Sequence, residues 1–381
     1  MSQLPLSGIR VLDLSRVLAG PLATQTLGDL GADVVKVERP LVGDDTRHWG
    51  PPFASEDAAY YLSLNRNKRS LTVDLRDPQG VEAVRRLAAD ADVLIENFRP
   101  GLMADLGLPL DGLRGRSPRL ITCSLTAFGD DAGDSATRPG YDIIVQALSG
   151  LMSFTGHQGG EPTKVGVALL DVICGLYACN AIQAALLGRN ASGRGARVSV
   201  SLFDASVAAL VNQAANYLLG GLVPQPLGNA HPNIVPYQLF EAADRPFILA
   251  AGNDRLFERT CVVIGRPELA SDERFATNAD RVRNRDQLIP IVSEELARRP
   301  AAEWLAALEA ASVPCAPVRT LDEVFASPEG AASIQTIDDP GRGSLRLVAD
   351  PIRVDGRVPP ARMPPPRLGE HTEDVRSELE G

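Results

Sequence analysis

Over residues 1–125 two hydrophobic periods take turns along the chain. Short β-branched and apolar runs, IRVLDL (9–14), DVVKVE (33–38), RSLTVDL (69–75), DVLIENF (92–98) and RLITCSLTAFG (119–129), have the length and composition of strands. Stretches with helical spacing lie between them. In GPLATQTLGDLGA, Pro21 suits a first helical turn and Gly31 a helix end. In DPQGVEAVRRLAADA, Asp77 stands as N-cap and Pro78 as the first helical residue. A short helix is expected from Pro100. Strand and helix alternating in this way predict an α/β fold with a parallel, doubly wound sheet.

From 140 to 220 the pattern turns largely helical and apolar: YDIIVQALSGLM, then LLDVICGLYACNAIQAALLGRN, then SLFDASVAALVNQAANYLLGG. GRGARVSVSLF reads as a turn and strand between the last two. VPQPLGNAHPNIVPYQ (223–238), rich in Pro, Gly and Asn, reads as a linker into a smaller α+β unit, with PFILAAG as a strand and PAAEWLAALEAASVP as a helix. After Phe325 the chain is proline-rich and poor in helix, and is expected to return over the first domain. The expected division is 1–222 for the N-terminal part of a large domain, 223–320 for a small domain with its linkers, and 321–381 for the returning segment.

Composition narrows the function. The 38 basic and 48 acidic residues give a net charge of −10, which argues against a nucleic-acid or membrane-surface partner while leaving room for a local basic pocket. The cysteines, Cys123, Cys174, Cys179, Cys261 and Cys315, are odd in number and form no C-x-x-C, so neither a disulfide framework nor a zinc site is expected. The start MSQLPLSGIR lacks the plan of a signal peptide, and no uninterrupted apolar stretch reaches about 18 residues, so a cytoplasmic protein without a membrane span is expected.

The first strand runs into SRVLAGPLATQTLGDLGAD, where Gly20, Gly28 and Gly31 do not make a dinucleotide fingerprint, and no P-loop is present. G-x-S-x-G is absent, and His48, His157, His231 and His371 have no metal-ligand spacing. Basic residues instead gather where strands end: Arg39 after the second, Arg76 after the third, and Asn97, Phe98 and Arg99 after the fourth. Ligands of open α/β sheets bind at those ends, and arginine forks suit phosphates while Phe98 could stack on a base. Among carboxylates, Asp171 closes the apolar stretch TKVGVALLD, Asp142 follows Tyr141, and Asp204 lies in SLFDAS. For Asp171 and Asp204, a helix N-cap and a catalytic role are equal contenders from spacing alone.

The motifs LSGIRVLDLSRVLAGPLATQTLGDLGADVVKVERP, LNRNKRSLTVDL, DVLIENFRPG, PRLITCSLTAFG, GYDIIVQALSGLM and PTKVGVALLDVICGLYA together resemble the class III CoA-transferases, the formyl-CoA and carnitine CoA-transferase family. HPNIVPYQ and its surroundings resemble the succinyl-CoA-dependent dicarboxylate branch, such as glutarate CoA-transferases. The resemblance implies a Rossmann-like large domain made from both chain ends, a smaller middle domain, and two subunits interlocked as a homodimer. It implies that Asp171 is the acylated aspartate and N-cap at once, with the helix start favouring its ionised form. Coenzyme A, as acyl-CoA substrate and without metal or NAD, would lie along Val17, Leu18, Arg39, Val73, Leu75, Arg76, Asn97, Phe98 and Arg99, with Arg138, Tyr141 and Asp142 at the reacting end. Two departures stand out: GNAHPNIVPYQLF replaces a glycine-rich loop, and Asp105 stands where formyl-CoA enzymes carry an arginine. A dicarboxylate acceptor needs a second cation, for which His48, Arg47, His157, Lys164 and His231 are candidates. The alternatives are a 2-methylacyl-CoA racemase, whose histidine is replaced here by Tyr141, and a non-catalytic acyl-CoA-binding protein.

Overall fold

The structure is a computed structural model and describes residues 4–129 and 133–380. The described residues form two compact units. The larger is built from the chain up to Leu151, Lys164–Leu222 and the chain from Ala332 on; the second is built from Met152–Thr163 and Val223–Ala331.

The larger unit is organised by six strands: β1 (Arg10–Asp13), β2 (Asp33–Glu38), β3 (Lys68–Thr72), β4 (Val93–Glu96), β5 (Ile121–Thr126) and β6 (Arg197–Ser201). They pair in the order β3-β2-β1-β4-β5-β6, every neighbour parallel. This order reverses direction between β1 and β4, the place where doubly wound sheets open a crevice. Alternation along the strands sends side chains to two cores. Val11, Val34 and Ile95 join α1 (Ala19–Asp29) and α4 (Leu169–Ser192) on one face. Leu12, Val35 and Leu94 join α2 (Pro78–Asp90) on the other. The expected start of α2 is observed: the Asp77 side chain accepts from Gln79 N–H, with Pro78 in the first turn. The unit also holds α3 (Asp142–Leu148), α5 (Leu202–Ala209) and α6 (Val211–Gly220).

Helix α4 spans 24 residues and by length and hydropathy could cross a membrane, although Asn180 and Gln183 interrupt its apolar run as expected. It serves instead as a core helix, with Leu170, Cys174, Ala178 and Ile182 buried against α1 and the sheet. A Cβ on Gly175 would stand 2.6 Å from the Ala19 carbonyl oxygen, so glycine there lets the start of α1 press on α4. The C-terminal segment is more regular than expected. It forms a hairpin, β10 (Ile334–Asp339) and β11 (Gly343–Val348), and ends in a helix, α7 (Thr372–Glu380), that buries Val375 in the β3 face of the core.

The returning segment is tied in by buried charge. Arg47 forks onto Glu38 at 2.9 and 2.7 Å, reaches Asp57 at 2.8 Å, and donates to the Pro366 carbonyl. Arg342 pairs with both Asp57 and Asp339. The second unit, described by itself, centres on an antiparallel sheet of β7 (Tyr237–Glu241), β8 (Pro246–Ala250) and β9 (Cys315–Pro317) in the order β9-β8-β7. Its core packs Phe247, Phe257, Phe275 and Trp304.

Replacing Arg47 by Met should leave Glu38 buried without its guanidinium partner and Asp57 with Arg342 alone. A loss of about 3–5 kcal/mol is expected, read as a lower urea midpoint.

Candidate active site

Asp171 is the third residue of α4, not its N-cap. The N-cap is Ala168, which offers no side chain to the free N–H groups of the first turn. Those groups are served from another helix. Asp142, at the first position of α3, is buried, and its Oδ1 accepts from Leu170 N–H at 2.8 Å and from Asp171 N–H at 3.3 Å. Its other oxygen accepts from Gln146 Nε2 at 2.5 Å. Helix α5 makes the contrast plain. There Ser201 caps, accepting from Asp204 N–H at 3.0 Å, and its hydroxyl donates to the Asp204 carboxylate at 2.6 Å. Both expected N-caps therefore sit at the third helical position. Asp204 is consumed by its own cap, while no hydrogen bond to the Asp171 carboxylate is found among the described residues.

A helix start should favour a charged carboxylate. For Asp171 the opposite wins: burial, then the nearby Asp142 charge, push its pKa up to about 7. The same pocket acts on its neighbours. Burial, then Asp171, push the Cys174 thiol up to about 12, and burial, then Asp171 and Asp142, push the Tyr60 phenol up to about 12. Asp171 is thus a poorly hydrated carboxylate beside a second one, the environment that turns a weak nucleophile or base into a usable one.

Asp171 lines a cavity of about 280 Å³ together with Arg16, Val17, Asn97, Phe98, Arg99, Arg138 and Tyr141. An adjoining cavity of about 520 Å³ is lined by Arg39, Val73, Leu75 and Arg76, with Leu102 and Leu106 adding apolar wall. Arg16 and Phe98 line both, the guanidinium lying 5.3 Å from the ring centroid. The structure therefore brings all but two of the expected binding residues to these two hollows at the carboxyl ends of β1, β2, β3 and β4. Leu18 and Asp142 line neither. Leu18 is a buried residue at the start of α1, and Asp142 works from behind through the α4 backbone.

The loop after β1 is held in an unusual shape. Val17 has a φ of 72°, a region that β-branched residues rarely enter. Arg16 and Asn97 exchange two hydrogen bonds, N–H to Oδ1 at 2.8 Å and Nδ2 to O at 2.7 Å. Val17 N–H faces the Asp44 carboxylate at 3.3 Å, and Asp44 pairs with the fully buried Lys36 at 2.9 Å. Burial opposes that charge, but Lys36 and Thr46 hold Asp44 at about 2. Strain of this kind persists where surroundings over-determine it, often beside reacting groups.

Four of the arginines at the cavities meet an acid, whereas Arg138 lies 5.5 Å from the Phe128 ring centroid. Arg39 and Arg16 reach Asp45 at 2.5 and 3.4 Å, Arg76 reaches Asp74 at 3.1 Å, and Arg99 reaches Asp105 at 2.7 Å. Among the candidate second cations, Arg47 is excluded by its buried network with Glu38 and Asp57. His48 is exposed and meets the Val42 carbonyl, Lys164 is exposed, and His157 and His231 belong to the second unit. Sequence reasoning missed Gln146, Tyr60, Asp44 and Asp45. Among the described residues no group of His, Cys, Asp and Glu with metal-binding geometry is found.

Residues 6–372 match the model of "CoA-transferase family III". The chain is 46% identical to a succinate–glutarate CoA-transferase of Agrobacterium fabrum, covering 99% of this chain and 96% of that one. It is 39% identical to an acetyl-CoA:oxalate CoA-transferase of Acetobacter aceti, covering 98% and 96%. A crystal structure of a CAIB/BAIF family protein from Brucella suis superposes with a TM-score of 0.86 at 45% identity, covering 99% of this chain and all of that one.

The raised pKa of Asp171 carries a stability consequence. Between its ordinary value of 3.8 and about 7 the unfolded chain has released this proton while the folded chain keeps it, so stability falls as pH rises through that window. Asp171→Asn should therefore unfold later than wild type at pH 8, by up to a few kcal/mol at about 1.4 kcal/mol per pH unit, with the difference gone by about pH 3.5. Thermal melts of both proteins across pH check this.

Proposed function

The chain belongs to CoA-transferase family III and is a class III CoA-transferase, and from that premise we propose that it moves coenzyme A from succinyl-CoA to a dicarboxylic acid through covalent intermediates on Asp171. The observation that carries this reading is Asp171 itself: a carboxylate with its pKa pushed up to about 7, without a hydrogen-bond partner among the described residues, on the wall of a cavity edged by Arg16, Arg99 and Arg138.

An Asp171 oxygen attacks the acyl carbon of the donor. The carbon–sulfur bond breaks, leaving an aspartyl-acyl anhydride and CoA thiolate. The thiolate attacks the Asp171 carbonyl carbon, expels the donor acid and leaves an aspartyl-CoA thioester. The acceptor carboxylate then attacks that thioester, and the thiolate released attacks the acceptor's acyl carbon, freeing Asp171. One thioester is exchanged for another, and a slow attack is divided into easier ones. Apolar walls around Asp171 raise its reactivity and keep water from the anhydride.

The cavity of Val73, Leu75 and Phe98 suits the adenine end of coenzyme A. Arg16, Arg39, Arg76 and Arg99 suit its phosphates, since exposed ion pairs such as theirs are weak and exchange readily. Arg138, exposed on the wall that Asp171 shares, suits the far carboxylate of the acceptor. The relatives named for succinate–glutarate and oxalate support the acceptor class. A homodimer belongs to the same reading. Helix α6 buries none of its residues within the single chain, and Val211, Leu218 and Leu219 stand 70%, 77% and 89% exposed, a surface a second copy would cover.

Asp171→Ala and Asp171→Ser should each lose at least about a thousand-fold in kcat with the fold intact. Hydroxylamine added during turnover of succinyl-CoA should leave a hydroxamate on Asp171, found by peptide mass spectrometry; label elsewhere sinks the assignment. Because the ionised form attacks, kcat/KM should rise with pH through a limb near 7, the value to which burial and Asp142 push Asp171. A screen of dicarboxylic acids against succinyl-CoA, glutarate first, identifies the acceptor.

A further inference from the structure

Gln146 is fully buried and lines neither cavity, yet its amide joins the two ends of the segment that delivers Asp171. Its Oε1 accepts from Val165 N–H at 2.9 Å, at the start of that segment. Its Nε2 donates to Asp142 Oδ2 at 2.5 Å, and Asp142 Oδ1 takes the N–H groups of Leu170 and Asp171. Between these anchors Gly166 and Val167 are exposed. The chain from Val165 to Asp171 is therefore clamped directly at its start and through Asp142 at its end.

The chemistry of the clamp is specific to an amide. The atom facing a carboxylate must donate, and the atom facing an N–H must accept. A methionine of similar length does neither. An ionised glutamate accepts at both positions and opposes Asp142. The arrangement also explains the unused nucleophile. In α5, Ser201 caps the helix and its hydroxyl binds the third-position acid, Asp204. In α4 the cap is moved off the helix onto Asp142, and the third-position acid is left uncommitted.

We propose that Gln146 is a positioning residue for the transfer reaction, acting through Asp142 to set where α4 begins and where the Asp171 carboxylate stands. The inference rests on the reading of Asp171 as nucleophile. The ionisable groups around this carboxylate pair are Asp142 and Asp171 themselves, Tyr60, and Cys174 one turn along α4. Tyr60 and Cys174 are both pushed up to about 12, so neither titrates in the working range.

The test compares Gln146→Met and Gln146→Glu in the full-length enzyme with succinyl-CoA and glutarate. Gln146→Met should lower kcat about ten- to a hundred-fold at every pH, as expected for a misplaced reacting group, with KM for succinyl-CoA within about two-fold of wild type. Gln146→Glu supplies the same donor and acceptor while protonated. It should approach wild-type kcat at the acid end and fall away as pH rises, adding an alkaline limb that wild type lacks. A residue that merely fills space would be restored by methionine and would add no limb. Wild-type kcat in Gln146→Met, an unaltered pH profile in Gln146→Glu, or a change confined to KM overturns the proposal. Should Gln146→Met fail to fold, the profile of Gln146→Glu still decides. Hydroxylamine trapping separates the two layers. No hydroxamate on Asp171 in wild type removes the nucleophile reading. Labelling of Asp171 in Gln146→Met at the wild-type rate removes only the inference about Gln146.

Discussion

Two carboxylates share the start of one helix, and much of the site follows from how that is tolerated. Asp142 takes the favourable position, bonded to two N–H groups of the first turn of α4 and held by Gln146. Asp171 takes the position that is left. It is half-buried, close to a like charge, and without a hydrogen bond among the described residues. Burying an unpaired charge is costly, so such a group rises in pKa, here to about 7. The fold thus stabilises one acid and leaves its neighbour reactive. Were Ala168 a serine bonded to Asp171, as Ser201 is to Asp204, the helix would gain a cap and the carboxylate would be quenched.

That placement depends on close backbone packing elsewhere. Gly175 brings the start of α1 against α4, so the loop after β1, with Val17 in its left-handed conformation, stands at the cavity wall beside Asp171. Below it, Lys36 and Asp44 are both fully buried, and Lys36 also donates to the Ser15 carbonyl at 2.8 Å. A buried ion pair adds little net stability, but removing one partner is expensive. The pair therefore works as a register pin: Asp44 receives Val17 N–H and fixes a turn that a valine would otherwise avoid.

Much of this architecture is legible in the sequence because it is local. Strand and helix periods mark the parallel sheet, and Asp77-Pro78 marks the start of α2. Motifs spread from end to end resemble the family that the comparisons establish. The misreadings share one cause, a partner distant in sequence. Asp171 looks like an N-cap until Asp142, 29 residues away, is seen to cap α4. Arg47 looks like a free cation until Asp57 is seen to join it to Arg342, 285 residues farther on. Gln146 gives no sign in sequence beyond its i, i+4 spacing from Asp142, since its other partner is the backbone of Val165.

An acidic chain here carries a local cluster of arginines at its cavities. A net charge of −10 opposes any polyanion at long range. At the cavities Arg39, Arg76 and Arg99 stand at strand ends, each paired with an acid within six residues, and Arg16 reaches across to Asp45. Such exposed pairs keep guanidinium groups ordered without locking them, because either partner can turn to water at little cost. On the proposed reading a phosphate that enters would take over such an arginine, and the displaced aspartate would be solvated at the rim. Asp105 fits this scheme as the counter-ion of Arg99. On the proposed reading the ligand meets a site that is ordered but close to neutral. Binding is then moderated, which a transferase needs if one thioester is to leave so that the next can enter.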